Sequence, residues 1–307
     1  MPSRPSFAGA SPQATLISAA GVSLVQRQSR PRRPQPPLQP WVFREERERA
    51  FASDAASGIV LLDRSRELDL LGPGTTPSLL AAYLVVRSGE ELRSCFQGGL
   101  EFYFVIHGQG TSCWDGGCVS WEEGDVFFLP GGKDVAHRAM SDSRLYVLSD
   151  QPLARFLGLG PQDSTVHPLH YSGHDIRNAQ ALEYQTTGKS GVLHFGCDTH
   201  IVHSSFVPTW KWLRPGEHQV SHRHAAVAVQ LFVAGEHSTS TIGDLRVRWD
   251  DFTVCVTPAG WLHSHQNDGD DVAAYLVAQD LPLYRHLRTY WHEEPDTGIL
   301  LQDWLGS

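Results

Sequence analysis

Short apolar segments separated by turn residues recur along the chain from about residue 80 onward. Gly-rich turns such as Asp115-Gly116-Gly117 and Ile242-Gly243-Asp244 lie between them, where a hairpin needs residues that accept positive φ. Helical patterning is limited to residues 152–157 and 282–290. The pattern therefore predicts an all-β protein. The segments that we predict to be strands are 101–106, 126–129, 145–148, 227–233, 252–256 and 273–277.

The chain contains one unit twice. The text LYVLSDQPLARFLGL in the first copy resembles AYLVAQDLPLYRHL in the second. A constant spacing over several positions indicates a repeated fold, and two jelly-roll barrels fit this pattern better than an α/β fold. Four landmarks recur at offsets of 128, 128, 128 and 129 residues: Phe104 with Phe232, Trp121 with Trp249, Pro130 with Pro258, and Tyr146 with Tyr275.

The repeat predicts two barrel domains, residues 45–175 and 176–307, preceded by an arm of residues 1–44. The arm contains no Asp or Glu and is rich in Pro, Ser, Gln and Arg, a composition that cannot build a core. We interpret it as a disordered tail or linker. An organelle transit peptide or a mis-assigned start codon would produce the same composition, and both alternatives stay open.

Composition narrows the functional classes. The 25 basic and 34 acidic residues give a net charge of −9, which argues against a nucleic-acid partner. No segment reaches the roughly 18 uninterrupted apolar residues that a membrane span needs, so a soluble protein is expected. The five cysteines are odd in number and contain no CxxC pair, which favours neither a disulfide framework nor a thiolate zinc site. A cytoplasmic location is therefore expected.

Three histidines in the second repeat form a candidate metal site. Alternate side chains of a strand share a face, so His222 and His224 point into the barrel and Arg223 points away. A partner strand can bring His263 to the same interior point. Three neutral imidazoles leave positions open for water, substrate or O₂, which is typical of a catalytic transition-metal site.

The spacing around these histidines resembles the two sequence motifs of the cupin superfamily. His-x-His alone carries little weight in a chain with 16 histidines, but the flanking positions favour a metal site. Ala228 replaces the metal-binding glutamate of the family, which leaves three histidines, and Phe252 replaces the glycine that opens the second motif. The other matching positions are Gly216, Gly235, Pro258, Gly260 and Asn267.

The first repeat keeps scaffold positions such as Gly89 and Glu101 but loses the ligands. Cys95 and Gln97 are expected to replace His-x-His, and Val135 to replace the third histidine. We therefore predict a degenerate first barrel without metal. Its expected role is structural, through packing against the second barrel or through a subunit interface.

Over residues 80–295 the chain resembles the gentisate/salicylate 1,2-dioxygenase family in its paired barrels, its three histidines and its Trp-x-His-x-His text, residues 261–265. In that family one barrel often keeps iron; usually it is the first, whereas here it is the second. The resemblance implies one Fe(II) ion per chain in the C-terminal barrel and O₂ as co-substrate. A homo-oligomer, either a dimer or a tetramer, is also expected.

The same resemblance implies roles for further residues. His265 would face the substrate as a hydrogen-bond partner or proton relay. Gln230 shares inward parity with His224 and stands where the family often has an arginine that pairs with the substrate carboxylate; a neutral amide cannot form that clamp. Core packing or plain solvent exposure is the ordinary alternative for the other candidates. The other candidates are Trp210, Trp212 and Trp261, which would form an aromatic wall around a flat ligand, and Arg246 and Arg248, which would form a basic rim.

The leading functional hypothesis is an Fe(II)-dependent dioxygenase that cleaves the ring of a hydroxylated aromatic acid of the gentisate or salicylate type. Iron is favoured by the resemblance, since histidines with open positions also accept Mn, Ni, Co or Zn. A second hypothesis keeps the metal for oxygenase, isomerase or lyase chemistry on a non-aromatic biosynthetic substrate. A third is a cupin that binds a small ligand without catalysis.

Overall fold

Strands dominate the structure, a computed structural model that describes residues 36–160, 166–195 and 205–302. Most of the predicted arm thus lies outside the described residues. Its last part contradicts the prediction, because Trp41–Val42 is a strand paired with the second barrel and a helix begins at Arg44. The structured chain therefore begins earlier than residue 45.

The first barrel consists of a six-stranded antiparallel sheet facing a four-stranded one. The elements of this half of the chain are β1 (Trp41–Val42), α1 (Arg44–Phe51), β2 (Gly58–Leu61), β3 (Leu80–Val86), β4 (Glu91–Ser94), β5 (Leu100–His107), β6 (Gln109–Trp114), β7 (Gly117–Glu122), β8 (Val126–Pro130), β9 (Val135–Ala139), β10 (Ser143–Ser149), α2 (Gln151–Leu157), β11 (Leu169–Tyr171) and α3 (Gly173–Thr187). The strand orders of the two sheets are β11-β8-β5-β10-β3-β2 and β4-β9-β6-β7.

The second barrel repeats this plan and adds a C-terminal hairpin. The elements are β12 (Gly191–His194), β13 (Val207–Leu213), β14 (Arg223–His224), β15 (Ala228–Ala234), β16 (Ser238–Ile242), β17 (Leu245–Arg248), β18 (Val254–Thr257), β19 (His263–Asn267), β20 (Ala273–Gln279), α4 (Leu281–His286), β21 (Trp291–Glu294) and β22 (Ile299–Gln302). Its large sheet has the order β1-β18-β15-β20-β13-β12. The smaller sheets are β17-β16-β19 and β14-β21-β22.

The two large sheets pack against each other, so their central strands are buried on both faces. In β5, Phe104 belongs to the core shared by the two barrels, whereas its neighbour Tyr103 fills the interior of the first barrel. In β15, Val229 belongs to the shared core and Phe232 to the interior of the second barrel. Each such aromatic side chain contributes about 1.5–3 kcal/mol when fully buried. The central strands therefore stabilise the barrels and their mutual packing together.

The all-β prediction is confirmed, and two of the helices, α2 and α4, lie where the sequence predicts them. Helix α3 was not predicted, although Ser172 caps its first turn by accepting a hydrogen bond from the Asp175 amide, and Gly188 ends it with a φ of 61°. The predicted domain limit at residues 175 and 176 falls inside this helix, and the domain limits stay a prediction. In the described part of the chain, no helix is long and apolar enough to cross a membrane.

The cysteines differ from the expectation of no disulfide. Cys113 and Cys118 face each other across the β6–β7 hairpin and form a disulfide. Cys95 and Cys255 are free. The sequence rule failed because the pairing depends on the strand register, which places residues five apart in sequence directly opposite each other.

Candidate metal centre

His222, His224 and His263 converge in the interior of the second barrel, and one ring nitrogen of each lies within 4.8 Å of those of the other two. His222 and His263 face each other in an antiparallel bridge with backbone N–H···O distances of 2.9 and 2.8 Å. His224 follows two residues after His222 and therefore points the same way. Within the described ranges these are the one such group of three His, Cys, Asp or Glu residues.

Backbone carbonyls fix the orientation of all three rings. The Nδ1 atoms lie 3.0 Å from the Val220 carbonyl for His222, 2.8 Å from that of Ala226 for His224, and 2.9 Å from that of Trp261 for His263. A carbonyl only accepts, so each Nδ1 carries the proton and donates it. The three Nε2 atoms are therefore unprotonated and carry the lone pairs that could bind a metal, and the ring orientations are set in advance of binding.

The electrostatics keep the three rings neutral. Burial lowers the pKa of His222, and burial with repulsion from His222 lowers the pKa of His224 to about 3. Burial and the two neighbouring rings also lower the pKa of His263 well below its usual range. Neutral imidazole is the form that binds a metal. The three residues thus fit a divalent transition metal in both geometry and protonation.

Gln279 was missed by the sequence analysis and lies beside the three histidines. Its Nε2 lies 3.0 Å from His224 Nε2 and donates to the lone pair that a metal would use. Gln279 pairs directly with Ala228 across β15 and β20, and Ala228 stands where the cupin motif that the sequence resembles has a glutamate. The amide therefore occupies space that the short Ala228 side chain leaves open. Only the pairing with Ala228 could have pointed to Gln279, and predicting that pairing requires the register of β20.

His292 also approaches the site from the C-terminal hairpin. β21 pairs with β14, with His292 directly opposite His224. The His292 ring stacks on His222 at a centroid distance of 5.3 Å. His292 thus borders the candidate centre from the side of the hairpin. No sequence motif marks this residue, because the hairpin joins the site only through tertiary pairing.

His265 is 2% exposed and lies inside the barrel, two residues after His263. Its Nδ1 is 2.8 Å from Ser240 Oγ, which also accepts a 2.7 Å hydrogen bond from Trp249 Nε1. Its Nε2 is 3.2 Å from Gln230 Nε2, while Gln230 Oε1 is buried without a hydrogen-bond partner. Gln230 thus faces the same interior as His265, with one acceptor available.

The proposed aromatic wall and basic rim are largely wrong. Trp210 and Trp212 belong to the core shared by the two barrels, because they lie on the face of β13 that points away from the second barrel's interior. Arg246 and Arg248 are exposed, because they alternate along β17 with the buried Val247 and therefore point outward. Trp261 is half-buried; it packs on the edge of the interior core and its carbonyl orients His263.

The first barrel corrects the assignment of Cys95 and Gln97. Ser94 pairs with Val135 in the same way as His222 pairs with His263. Each residue of the first pair lies 128 residues before its counterpart in the second pair. Ser94 and Phe96 are buried, whereas Cys95 and Gln97 are exposed. Ser94 and Phe96 are therefore the inward counterparts of His222 and His224. The prediction was wrong by one residue, which in a strand exchanges the two faces.

A buried histidine of the first barrel has the same environment as His265. His137 Nδ1 is 2.7 Å from Ser112 Oγ, which accepts a 2.9 Å hydrogen bond from Trp121 Nε1. Its Nε2 is 2.9 Å from Ser94 Oγ. Trp121, Ser112 and His137 correspond to Trp249, Ser240 and His265, each 128 residues later. This Trp-Ser-His chain, a series of three side chains joined by hydrogen bonds, is thus common to both barrels.

Solved structures similar to the chain share its barrel fold. Salicylate 1,2-dioxygenase from Pseudaminobacter salicylatoxidans superposes with a TM-score of 0.71 at 13% identity, covering 90% of this chain and 93% of that one. A cupin 2 conserved barrel domain protein from Leptotrichia buccalis has a TM-score of 0.52 at 14% identity, covering 78% and 95%. These likenesses concern the fold alone, and they confirm the prediction of tandem jelly-roll barrels.

Relatives of known activity match a shorter part of the chain. Gentisate 1,2-dioxygenase from Ralstonia is 34% identical over 80 residues, which are 26% of this chain and 22% of the relative. 5-Aminosalicylate 1,2-dioxygenase from Comamonas is 30% identical over 134 residues, 42% of this chain and 35% of the relative. The match thus spans well under half of these relatives. No family model matches the chain.

Proposed function

We propose that the protein is an Fe(II)-dependent dioxygenase that uses O₂ to cleave the ring of a hydroxylated aromatic acid. One observation carries the proposal: three neutral imidazoles converge with their Nε2 atoms unprotonated, each ring held by a backbone carbonyl. Similarity to gentisate and 5-aminosalicylate 1,2-dioxygenases supports the substrate class. The fold likeness to a salicylate dioxygenase agrees with it.

His222, His224 and His263 would hold the iron. When bound, iron supplies the electron path that lets O₂ react with a closed-shell aromatic ring. Three protein ligands leave open positions for small molecules. Iron rather than manganese or zinc is proposed from the family resemblance, because the donor set itself accepts several divalent metals.

The other inward side chains would orient the substrate and handle protons. With Gln230 donating to Nε2 of His265, the proton of that ring lies on Nδ1 and is donated to Ser240 Oγ. A substrate hydroxyl that replaces the Gln230 amide would find Nε2 ready to accept its proton. Apolar residues such as Phe232 and Tyr275 close the interior behind His265 and exclude water from that side.

Oxygen consumption tests the proposal. Protein reconstituted with Fe(II) under anaerobic conditions is mixed with aerated gentisate, salicylate, 5-aminosalicylate or hydroxynaphthoate, and O₂ uptake and product absorbance are recorded. Uptake of one O₂ per ring-opened product is expected with at least one acid, and His263→Ala should show none. Iron-loaded protein without uptake on the whole panel would contradict ring cleavage. Turnover of a non-aromatic substrate, or ligand binding without turnover, would then support the two alternative functions.

The remaining features are also proposals. We infer a homo-oligomer, a dimer or tetramer, from the family resemblance, and sedimentation of the purified protein measures it directly. A cytoplasmic location stays a prediction from composition. The Cys113–Cys118 disulfide does not support the reducing compartment on which that prediction partly rests.

A further inference from the structure

Lys211 lies on the inner face of the second barrel. In β13 it pairs directly with Tyr275 of β20, whose side chain belongs to the interior core, as does Leu213 two residues later. Directly paired residues of an antiparallel sheet point to the same side. Lys211 therefore points into the barrel, whereas the adjacent Trp210 and Trp212 point to the shared core.

Lys211 lies on the inner face beside the residues around His265. Its direct partner Tyr275 has its ring 5.1 Å from the His265 ring, centroid to centroid. The His265 ring is in turn 6.0 Å from that of His263, one of the three candidate ligands. Lys211 therefore lies on the part of the inner face that leads through Tyr275 and His265 to the candidate metal centre.

Among the residues that the structure describes, none forms a hydrogen bond or an ion pair with the ammonium group of Lys211. Burial lowers the pKa of Lys211, and no charged partner opposes that effect. Within the described ranges, Lys211 thus brings a positive charge without an ionic partner to the inner face of the second barrel.

We propose that Lys211 binds the carboxylate of the aromatic acid substrate and supplies the positive charge that Gln230 does not. This inference rests on the proposed function and deepens it. In the related family an arginine at the position of Gln230 has that task; here the cation stands on a different strand. A carboxylate beside Lys211 forms a charge-assisted hydrogen bond and neutralises the ammonium group in one step.

The register of β20 allows the two side chains to act on one ligand. Lys211 pairs with Tyr275 on one side of β20, and Gln230 pairs with Val277 on the other side. Tyr275 and Val277 are two residues apart and share the inner face, so Lys211 and Gln230 flank the same short stretch of that face. The ammonium group can hold one carboxylate oxygen while the Gln230 amide donates to the other.

Binding of salicylate and its neutral amide, salicylamide, tests the inference without turnover. Both ligands are titrated by calorimetry into anaerobic Fe(II)-loaded wild type, Lys211→Met and Lys211→Arg. Lys211→Met should weaken salicylate binding about 10- to 100-fold and leave salicylamide binding nearly unchanged. Lys211→Arg should retain most of the preference for the acid. Iron content and melting temperature equal to wild type establish that the variants are folded and loaded.

The second test moves the positive charge from position 211 to position 230. Lys211→Met combined with Gln230→Arg should recover salicylate binding that Lys211→Met alone loses. The inference is overturned if Lys211→Met weakens both ligands equally, weakens neither, or if the wild type binds neither ligand. Salicylate binding that depends on Lys211 in a protein without O₂ uptake would refute only the proposed function. Turnover with an unchanged acid preference in Lys211→Met would refute only this inference.

Discussion

The two barrels have the same strand plan and differ at a few inward positions. Where the second barrel has His222 and His263 in a facing pair, the first has Ser94 and Val135. The Trp-Ser-His chain persists in both, with hydrogen bonds of similar length around Ser112 and Ser240. A feature present without the three histidines cannot depend on a metal. We therefore assign the Trp-Ser-His chain to the scaffold and only the three ligands to metal binding.

The position of the family glutamate gives the reverse contrast. The first barrel keeps Glu101, which accepts from the Phe96 amide and pairs with the Tyr103 hydroxyl. With no cation beside it, burial raises the pKa of Glu101 to about 8. The second barrel has Ala228 at this position, and the neutral Gln279 amide faces it. A carboxyl group thus remains where the structure shows no histidine cluster, and is missing where three histidines meet.

The largest effect is expected when a candidate metal ligand of the second barrel is replaced, with a substitution in the first barrel as the control. His222→Ala or His263→Ala should abolish metal retention, because two neutral imidazoles are too few to hold a divalent ion through desalting. Cys95→Ala in the first barrel should leave it intact. Metal per chain is measured by elemental analysis after reconstitution with Fe(II), with the melting temperature as a control of folding. Full metal content in His263→Ala would place the ion elsewhere.

Glu101→Gln should change how stability depends on pH. The folded protein keeps the Glu101 proton from the ordinary pKa of 4.5 up to about 8, whereas the unfolded chain releases it. The folded state binds more protons in this window, so its stability falls as pH rises, by at most about 1.4 kcal/mol per unit. Urea unfolding from pH 5 to 8 should show a flatter profile for Glu101→Gln, more stable than wild type by roughly 2 kcal/mol at pH 7. Parallel profiles would contradict the buried neutral carboxyl group.

Ser112→Ala and Ser240→Ala compare the scaffold feature directly. Each removes the partner of a tryptophan N–H and of a histidine Nδ1, and should lower the free energy of unfolding by about 1–2 kcal/mol. Metal content should stay at the wild-type level in both. Only Ser240→Ala should also slow turnover, since His265 lies in the barrel with the candidate centre. Equal effects of Ser112→Ala and Ser240→Ala on turnover would show that the Trp-Ser-His chain affects turnover only through the stability of the protein.

The repeat, the all-β class and the three histidines follow from local properties of the sequence. Alternation within a strand fixes which residues share a face, and a 128-residue offset relates most of one copy to the other. Strands β5 and β15 are an exception, because their pairing with β8 and β18 aligns Glu101 with Ala228, 127 residues later, and the landmark residues Phe104 and Phe232 therefore lie on opposite faces. The 128-residue offset, applied to His222, leads to Ser94 and would have corrected the choice of Cys95. That error came from a family spacing that runs one residue out of step with the strand register.

Strand pairing in the folded protein sets whether a residue of a central strand points into a barrel or toward the core shared by the barrels. Both faces of the central strands are buried, so apolar content alone cannot separate the barrel interior from the core shared by the barrels. Lys211 and Trp210 are adjacent in β13, and only the pairing with β20 puts the lysine inside and the tryptophan outside. Gln279 and His292 reach the candidate centre through pairing with distant strands. Such contacts depend on strand register between segments far apart in sequence, which local pattern does not specify.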